Sequence, residues 1–218
     1  MRRIAYLLAP LLLAAAGCTA TTEQPERPAP ATRAERPSPF ADCTPLTVAP
    51  AAASPTSPGK AVSPTSPGKA VSPTLAGKAG DQLPDLTLNC FTGGTPVSLR
   101  DVKGPAVINV WASWCPPCRK ELPAFQRLSE RADGRFQVIG VNSRDSRGGA
   151  QSIGEDYGVD FPMLLDQGDA FQRALGRNAF PLTVLVDADG RIRHTDATGA
   201  LDDARLAALL QRHLGVRV

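Results

Sequence analysis

The sequence predicts an α/β domain with a mixed sheet over residues 81–218, preceded by a long, disordered, proline-rich segment. Three observations support this fold class. Short apolar strands alternate with helical apolar patterns after residue 81, which is typical of α/β domains. The run AVINVWA at 106–112 is almost entirely apolar and has the length of a central, buried strand. Residues 19–80 are mostly Pro, Ala, Ser and Thr without an apolar period, so no packed core is expected there.

The predicted elements follow one another in a regular order. A short strand covers 86–88, and the buried strand 106–112 leads into a helix that begins near Pro117 and should kink at Pro123. Further strands are predicted at 136–141, 161–165, 182–186 and 192–194, with helices at about 149–157 and 169–175. The turn DADG at 187–190 joins the last two strands into a hairpin, and a final helix runs from near Leu201 to just before Gly215.

Composition excludes one class of partner. The chain has 218 residues, 42% of them hydrophobic, which is enough for one or two domains of ordinary size. Its net charge is only +3, and no block of Lys or Arg forms a binding stripe. A nucleic-acid partner is therefore not expected.

The N-terminus has the pattern of an export signal. Arg2 and Arg3 precede a 13-residue apolar run at 4–16, which is too short to span a bilayer comfortably. The small residues that follow lead into Cys18, an arrangement that resembles a bacterial lipoprotein box, although Ala15 replaces the usual leucine. We expect residues 1–17 to be a signal peptide and Cys18 to carry a lipid anchor. The alternatives are an ordinary cleaved signal with an unrelated cysteine and, on a poor match, a twin-arginine signal.

The segment 18–80 is predicted to be a lipid-anchored linker. It contains the nonapeptide SPTSPGKAV at 54–62 and 63–71, and a diverged copy at 72–80. Stacked copies would have little apolar surface to bury, so a solenoid is not expected. An extended, partly polyproline chain fits this composition, with a mucin-like segment as the alternative.

Cys115 and Cys118 form a CxxC pair that opens a helix directly after the buried strand. Unpaired backbone N–H groups and the helix dipole favour a thiolate at Cys115, and Pro117 is suited to a first helical turn. A thiolate there can attack a disulfide, and Cys118, one turn later, can resolve the mixed intermediate. The sequence therefore predicts a redox-active pair.

Three other roles are open to a CxxC pair. A zinc site would need a second CxxC or two suitably spaced histidines, and the only histidines are His194 and His213. A purely structural disulfide over so short a loop would restrain little chain. A copper relay would need His194, which fits an ordinary strand position better. We expect no metal and no cofactor, because the dithiol is itself the redox centre.

The stretch VINVWASWCPPCRKELPAF at 107–125 resembles the TlpA/ResA-like branch of the thioredoxin superfamily. The motifs LPDLTL at 83–88 and FPLTVLVDADGRI at 180–192 extend the resemblance over about 83–215. The resemblance implies a thioredoxin fold with an inserted strand–helix unit within 145–165. It also implies that Pro181 is a cis-proline facing the CxxC pair, whereas the sequence alone would also allow a trans-proline at a strand edge.

Comparison with the family singles out a proton-handling group and the lining of the site. Cytoplasmic thioredoxins have a buried Asp on the preceding strand, where this chain has Asn109. The resemblance implies that Glu121 serves instead, although a solvated surface acid is an equal alternative. Relatives dedicated to cytochrome c maturation often carry Glu after the cis-proline, and Leu182 here weakens that assignment. The expected lining is Trp114, Pro116, Pro117 and Phe180, with Trp111 in the core.

Two cysteines remain, Cys43 and Cys90. An exported protein most simply pairs them, so we predict a structural disulfide, with free or intermolecular thiols as the alternative. The repeats would then lie inside the loop closed by that bond. Only residues 19–42 would be left as a tether, reaching at most about 70–75 Å.

The sequence therefore predicts a thiol–disulfide oxidoreductase on the extracytoplasmic face of the cell membrane, with Cys115 as nucleophile, Cys118 as resolving thiol and Pro181 shaping the groove. Expected partners are exported proteins with thiols or disulfides, a membrane-embedded electron donor or acceptor, and the membrane itself through the lipid anchor; a monomer is expected. Reduction of exported proteins is preferred on resemblance. The alternatives are a disulfide-forming oxidase and a non-catalytic binding or copper-relay lipoprotein; a peroxiredoxin is weakly supported.

Overall fold

A computed structural model describes residues 36–49 and 77–218. The expected signal peptide, Cys18 and most of the repeats lie outside the described residues. The strands are β1 (Thr87–Cys90), β2 (Val97–Ser98), β3 (Ala106–Trp111), β4 (Gln137–Ser143), β5 (Met163–Asp166), β6 (Leu182–Val186) and β7 (Ile192–Asp196). The helices are α1 (Pro116–Glu130), α2 (Arg147–Tyr157), α3 (Ala170–Ala174) and α4 (Asp203–Leu214).

The strands form one mixed sheet with the order β2-β1-β5-β4-β3-β6-β7. Strand β4 pairs in parallel with both β3 and β5. Strand β1 is antiparallel to β2 and β5, and β6 is antiparallel to β3 and β7. Strand β3 lies inside the sheet, and all six of its residues are buried, as its apolar run predicted. The predicted α/β class with a mixed sheet is confirmed.

The predicted elements are present, and most of the errors concern their ends. Strand β1 begins one residue later than expected and continues to Cys90, and α4 begins at Asp203. Strand β5 begins two residues later and ends one residue later than 161–165. Helix α1 continues through Pro123 to Glu130. Strand β2, which has only two residues, was not predicted, because two residues are too few to show a period. The interval 145–165 contains α2 and most of β5.

The sheet has an apolar core on each face. Alternate residues of β3 point to opposite faces, so Val107 and Trp111 pack with α1 and α4 while Ile108 and Val110 pack on the other side. Asn109 has the same parity as Val107 and Trp111 and therefore faces α1. This alternation decides which polar residues of the strand can reach the CxxC helix.

Residues 36–49, here called the strap, are part of the folded unit. Phe40 and Leu46 are buried, and the Phe40 ring meets that of Phe91 edge to face at 4.7 Å. The strap backbone also pairs with the domain, through Ala41 N–H donating to Asp160 O (2.7 Å) and Lys103 N–H donating to Leu46 O (2.9 Å). The linker was expected to extend to residue 80, but residues 36–49 within it pack on the domain. Composition did not reveal this segment, because a few apolar residues in a proline-rich stretch give no periodic signal.

In the part of the chain that the structure describes, none of the helices combines the length and the apolar character needed to cross a membrane.

Candidate active site

Cys115 and Cys118 form a disulfide at the start of α1, with an S–S distance of 2.01 Å. Cys115 is the N-cap, and its sulfur accepts the Cys118 backbone N–H at 3.2 Å. Pro116 and Pro117 fill the first helical turn, where a missing N–H has no cost. Both prolines are exposed, whereas Cys118 is completely buried and Cys115 is 3% exposed. The pair therefore lies at a helix N-terminus, with Cys118 behind Cys115.

An aromatic rim, formed by one exposed and one half-buried side chain, borders the disulfide. Trp114, which immediately precedes Cys115, is 53% exposed, and its ring meets Phe180 edge to face at 5.1 Å. Phe180 precedes Pro181, and the peptide bond between them is cis. The segment before the nucleophile candidate and the segment before the cis-proline are thus in direct contact. The four lining residues expected from the sequence all lie at this end of the sheet.

Asp145 fixes the turn that leads into Cys115. Its carboxylate accepts hydrogen bonds from the backbone N–H and hydroxyl of Ser113 (2.5 and 2.7 Å), from Asn142 Nδ2 (2.9 Å) and from Ser146 N–H (2.8 Å). Sequence reasoning missed this residue. The parallel pairing of β3 and β4 was its available signal, because the residues that follow two parallel neighbours lie at the same sheet edge.

Glu121 lies one helical turn after Cys118 and is 1% exposed. Its Oε1 accepts from Asn109 Nδ2 at 2.6 Å, and its Oε2 accepts from Leu201 N–H at 3.0 Å. Burial raises the pKa of this carboxyl from its ordinary value of 4.5 to about 7, although both hydrogen bonds act in the opposite direction. The reading of Glu121 as a solvated surface acid is wrong.

Asn109 supports Glu121 directly, which the sequence did not indicate. Residues three apart on a helix are neighbours, so Glu121 shares the inner face of α1 with Cys118, and Asn109 approaches that face from β3. Within the described residues, the Asn109 Oδ1 atom is buried and has no hydrogen-bond partner. In cytoplasmic thioredoxins the strand itself supplies the buried acid. Here the helix supplies the acid, Glu121, and the strand residue Asn109 hydrogen-bonds to it through its amide.

Cys43 and Cys90 are joined by a second disulfide, with an S–S distance of 1.97 Å and a sequence separation of 47. The bond links the strap to the end of β1, and both cysteines are buried. A cavity of about 280 Å³ lies beside it, between the strap and the turn from β1 to β2. The repeats lie in the chain between these two cysteines.

The two histidines contact each other. The rings of His194 and His213 stack at 4.1 Å, and Nε2 of His194 lies 3.9 Å from Asp196 Oδ2. Burial lowers the pKa of His213 below its ordinary value, and the neighbouring His194 acts in the same direction. Across 36–49 and 77–218, no three His, Cys, Asp or Glu side chains converge in the manner of metal ligands.

Similarity to known proteins agrees with this geometry. A family model described as Redoxin matches residues 78–210, more than half of the chain. The thioredoxin-like protein YneN of Bacillus subtilis is 32% identical over 118 residues, covering 52% of this chain and 68% of YneN. The thiol-disulfide oxidoreductase ResA of Bacillus subtilis is 32% identical over 116 residues, covering 52% of this chain and 64% of ResA. The matched part of this chain therefore spans slightly less than two thirds of ResA.

A solved structure extends the comparison to the fold. A secreted thiol-disulfide isomerase from Corynebacterium glutamicum superposes with a TM-score of 0.54 at 28% identity, covering 62% of this chain and 85% of that protein. The predicted thioredoxin fold is confirmed by this likeness and by the sheet described above. The chain belongs to the redoxin family, has a thioredoxin fold and is similar to the TlpA/ResA-like thiol–disulfide oxidoreductases.

Proposed function

We propose that the Cys115–Cys118 pair reduces disulfides in exported proteins. In the dithiol form, the Cys115 thiolate attacks one sulfur of a client disulfide, and the other client sulfur leaves as a thiolate. The Cys118 thiolate then attacks Cys115 Sγ, which releases the second client thiolate and forms the Cys115–Cys118 disulfide. Two electrons pass to the client, and an external dithiol must return them before the next turnover.

The arrangement of the two cysteines carries this proposal. Cys115 caps the N-terminus of α1, where backbone N–H groups and the helix dipole favour a thiolate, and Cys118 is completely buried behind it. Only the first cysteine is placed to meet a large substrate, and only the second is placed to resolve the mixed disulfide. The contact between Trp114 and Phe180 keeps the cis-proline segment next to this pair.

Glu121 is assigned the proton exchange that accompanies thiol chemistry. Its position one turn after Cys118 and a pKa of about 7 suit a group that takes up or releases a proton near neutral pH. We regard Pro181 as shaping the client groove rather than transferring protons.

The setting proposed for this activity is extracytoplasmic. The solved relative described above is named as secreted, and the apolar run at 4–16 followed by Cys18 fits an export signal with a lipid anchor. A membrane-embedded protein would serve as electron donor. Because the strap packs from residue 36, a tether to Cys18 would comprise residues 19–35, shorter than the 19–42 expected from the Cys43–Cys90 disulfide.

The direction of electron flow is tested by the reduction potential of the Cys115/Cys118 couple in the full-length chain. Equilibration in dithiothreitol buffers, acid trapping and alkylation would be followed by peptide mass spectrometry, which separates this couple from Cys43/Cys90. A potential below about −220 mV is expected for a reductant, and one above about −150 mV would make the protein an oxidase.

Covalent trapping tests the role of each cysteine. Cys118→Ser should accumulate mixed disulfides between Cys115 and clients, because the resolving thiol is missing. Cys115→Ser should accumulate none and lose turnover. A pair that never cycles between dithiol and disulfide would contradict the enzymatic proposal and favour a binding role.

A further inference from the structure

The rim beside the disulfide also carries a charge pattern. We propose that it selects client segments with an acidic side chain next to the target cysteine, and that Arg144 is the principal contact for that acid. This inference rests on the proposed function, because it names the class of client for the same site.

Arg144 makes three contacts at the rim. Its backbone O accepts the Trp114 indole N–H at 2.9 Å, its guanidinium carbon lies 5.9 Å from the centroid of the Phe180 ring, and its Nη1 donates to Asn178 Oδ1 at 3.3 Å. A cation at that distance from an aromatic face is weakly attracted to it. Trp114, Phe180 and the Arg144 side chain thus form one continuous surface beside Cys115.

The backbone at Arg144 explains this placement. Its φ of 53° lies in the left-handed region, which a residue with a large side chain rarely adopts. Residue 144 follows β4 and precedes Asp145, whose four hydrogen bonds hold the Ser113 turn. The same anchoring that positions the turn before Cys115 therefore also directs the residue 144 carbonyl towards Trp114.

The cations at this end of the domain have no acidic partner among the described residues. Arg119 and Lys120 lie at the start of α1, Arg144 lies at the rim, and Arg177 lies in the loop before Phe180; none is within ion-pair distance of a described carboxylate. Elsewhere on the surface, arginines do form ion pairs, as Arg127 and Arg131 both do with Asp203. The unpaired cations are thus available to a carboxylate supplied from outside.

The two acids described at this site, Asp145 and Glu121, form no ion pair with these cations. Asp145 is held by four hydrogen-bond donors at the base of the turn, and Glu121 is buried, with a raised pKa. A client segment would meet an apolar face from Trp114 and Phe180 with cations beside it. An Asp or Glu flanking the client cysteine complements both features, because charge complementarity at an interface mainly raises specificity and the association rate.

The test uses three peptides that differ only beside their single cysteine, with Asp, Asn or Lys at that position. Each cysteine is presented as the mixed disulfide with 2-mercaptoethanol, which adds no charge. The second-order rate constant with the pre-reduced full-length chain is divided by that for dithiothreitol on the same peptide. This ratio removes the intrinsic effect of the neighbouring charge on thiol exchange.

The expected normalised rate is roughly threefold higher for the Asp peptide than for the Asn peptide, the size of an exposed ion pair, and lowest for the Lys peptide. This order should fade as salt is raised from about 10 mM to about 1 M, where the screening length falls to roughly 3 Å. Arg144→Gln should remove most of the preference, and Arg144→Glu should reverse it towards Lys. Arg100→Gln, at an exposed arginine beside edge strand β2, should leave it unchanged.

The other outcomes overturn the inference in distinguishable ways. Equal normalised rates for the three peptides, with turnover that still depends on Cys115, would overturn the acidic-client inference and leave the oxidoreductase intact. A preference that persists in Arg144→Glu would overturn the role of Arg144. Failure of the wild-type chain to reduce any of the peptides would instead contradict the proposed function.

Discussion

The two disulfides in the described part of the chain join similarly buried cysteines but have very different surroundings. Cys115 and Cys118 are three residues apart at the start of one helix and lie beside the aromatic rim of Trp114 and Phe180. Cys43 and Cys90 are 47 residues apart and join the strap to an edge of the sheet. Exposure of the four cysteines lies between 0% and 4%, so burial does not separate a reactive disulfide from a structural one.

Chain separation and local electrostatics do separate them. A cross-link over a long loop restricts the unfolded chain more than one over a single helical turn, so the Cys43–Cys90 bond should contribute more to stability. A cysteine that caps a helix is favoured as a thiolate, so the Cys115–Cys118 bond should be the one that exchanges. We therefore expect one bond to hold the strap on the domain and the other to exchange electrons with clients.

The largest expected effect is on stability. Replacing Cys43 and Cys90 together by Ala should lower the free energy of unfolding by about 4 kcal/mol, from the chain entropy of a loop of this size. Replacing Cys115 and Cys118 together should lower it by only about 2 kcal/mol. Urea denaturation of the two double variants measures both values.

Turnover should respond in the opposite way. The Cys43/Cys90 variant should still reduce a test disulfide below its unfolding midpoint, whereas the Cys115/Cys118 variant should not. Equal losses of stability, or turnover that depends on Cys43, would break the division between a structural and a reactive bond.

The next effect concerns Glu121 near the reactive bond. Its folded pKa of about 7 lies above its ordinary 4.5, so the folded state binds the proton more tightly than the unfolded state. The stability gained from this proton is full below pH 4.5 and is lost as pH rises through about 7. Glu121→Gln should therefore be more stable than wild type at pH 8, by on the order of 3 kcal/mol, and similar to it at pH 4.5.

Exchange kinetics complete this test. Without a titrating carboxyl, Glu121→Gln should slow proton-linked exchange by on the order of 10²-fold and lose the kinetic transition near pH 7. Glu130→Gln removes an exposed acid from the same helix and serves as the control. If the Glu121 variant kept a wild-type pH profile, its proton-handling role would be contradicted.

The smallest effect concerns the packing of the strap. A Cβ at Gly154, in α2, would lie 2.5 Å from the Phe40 ring, whereas one at Gly148, in the same helix, would have nothing within 4 Å. Gly154→Ala should destabilise the fold by about 1 kcal/mol, because overpacking outweighs the helix propensity gained. Gly148→Ala should be neutral or slightly stabilising. Thermal unfolding of both variants checks this prediction. Equal shifts of the unfolding temperature would show that the strap is not tightly packed against α2.

Local features explain why so much of the site could be predicted. Strand β3 could be predicted because a strand buried on both faces has a continuous apolar run. The start of α1 could be predicted from Cys115 and the two prolines that follow it. Asp145 could not be identified in this way, since its role depends on the hydrogen bonds that it accepts from Ser113, 32 residues earlier in the chain. The strap was missed for a similar reason, because Phe40 and Leu46 show no period and are buried only by distant residues.

The sequence by itself determined the α/β class, the helix that opens with CPPC and the pairing candidates among the cysteines, because each depends on short-range spacing. Only the tertiary structure decided that Glu121 is buried between Asn109 and Leu201, and that Arg144 meets Trp114 and Phe180. These contacts join segments that are between 12 and 80 residues apart. Burial and charge at a site are properties of what surrounds a residue, and the chain acquires those surroundings only when it folds.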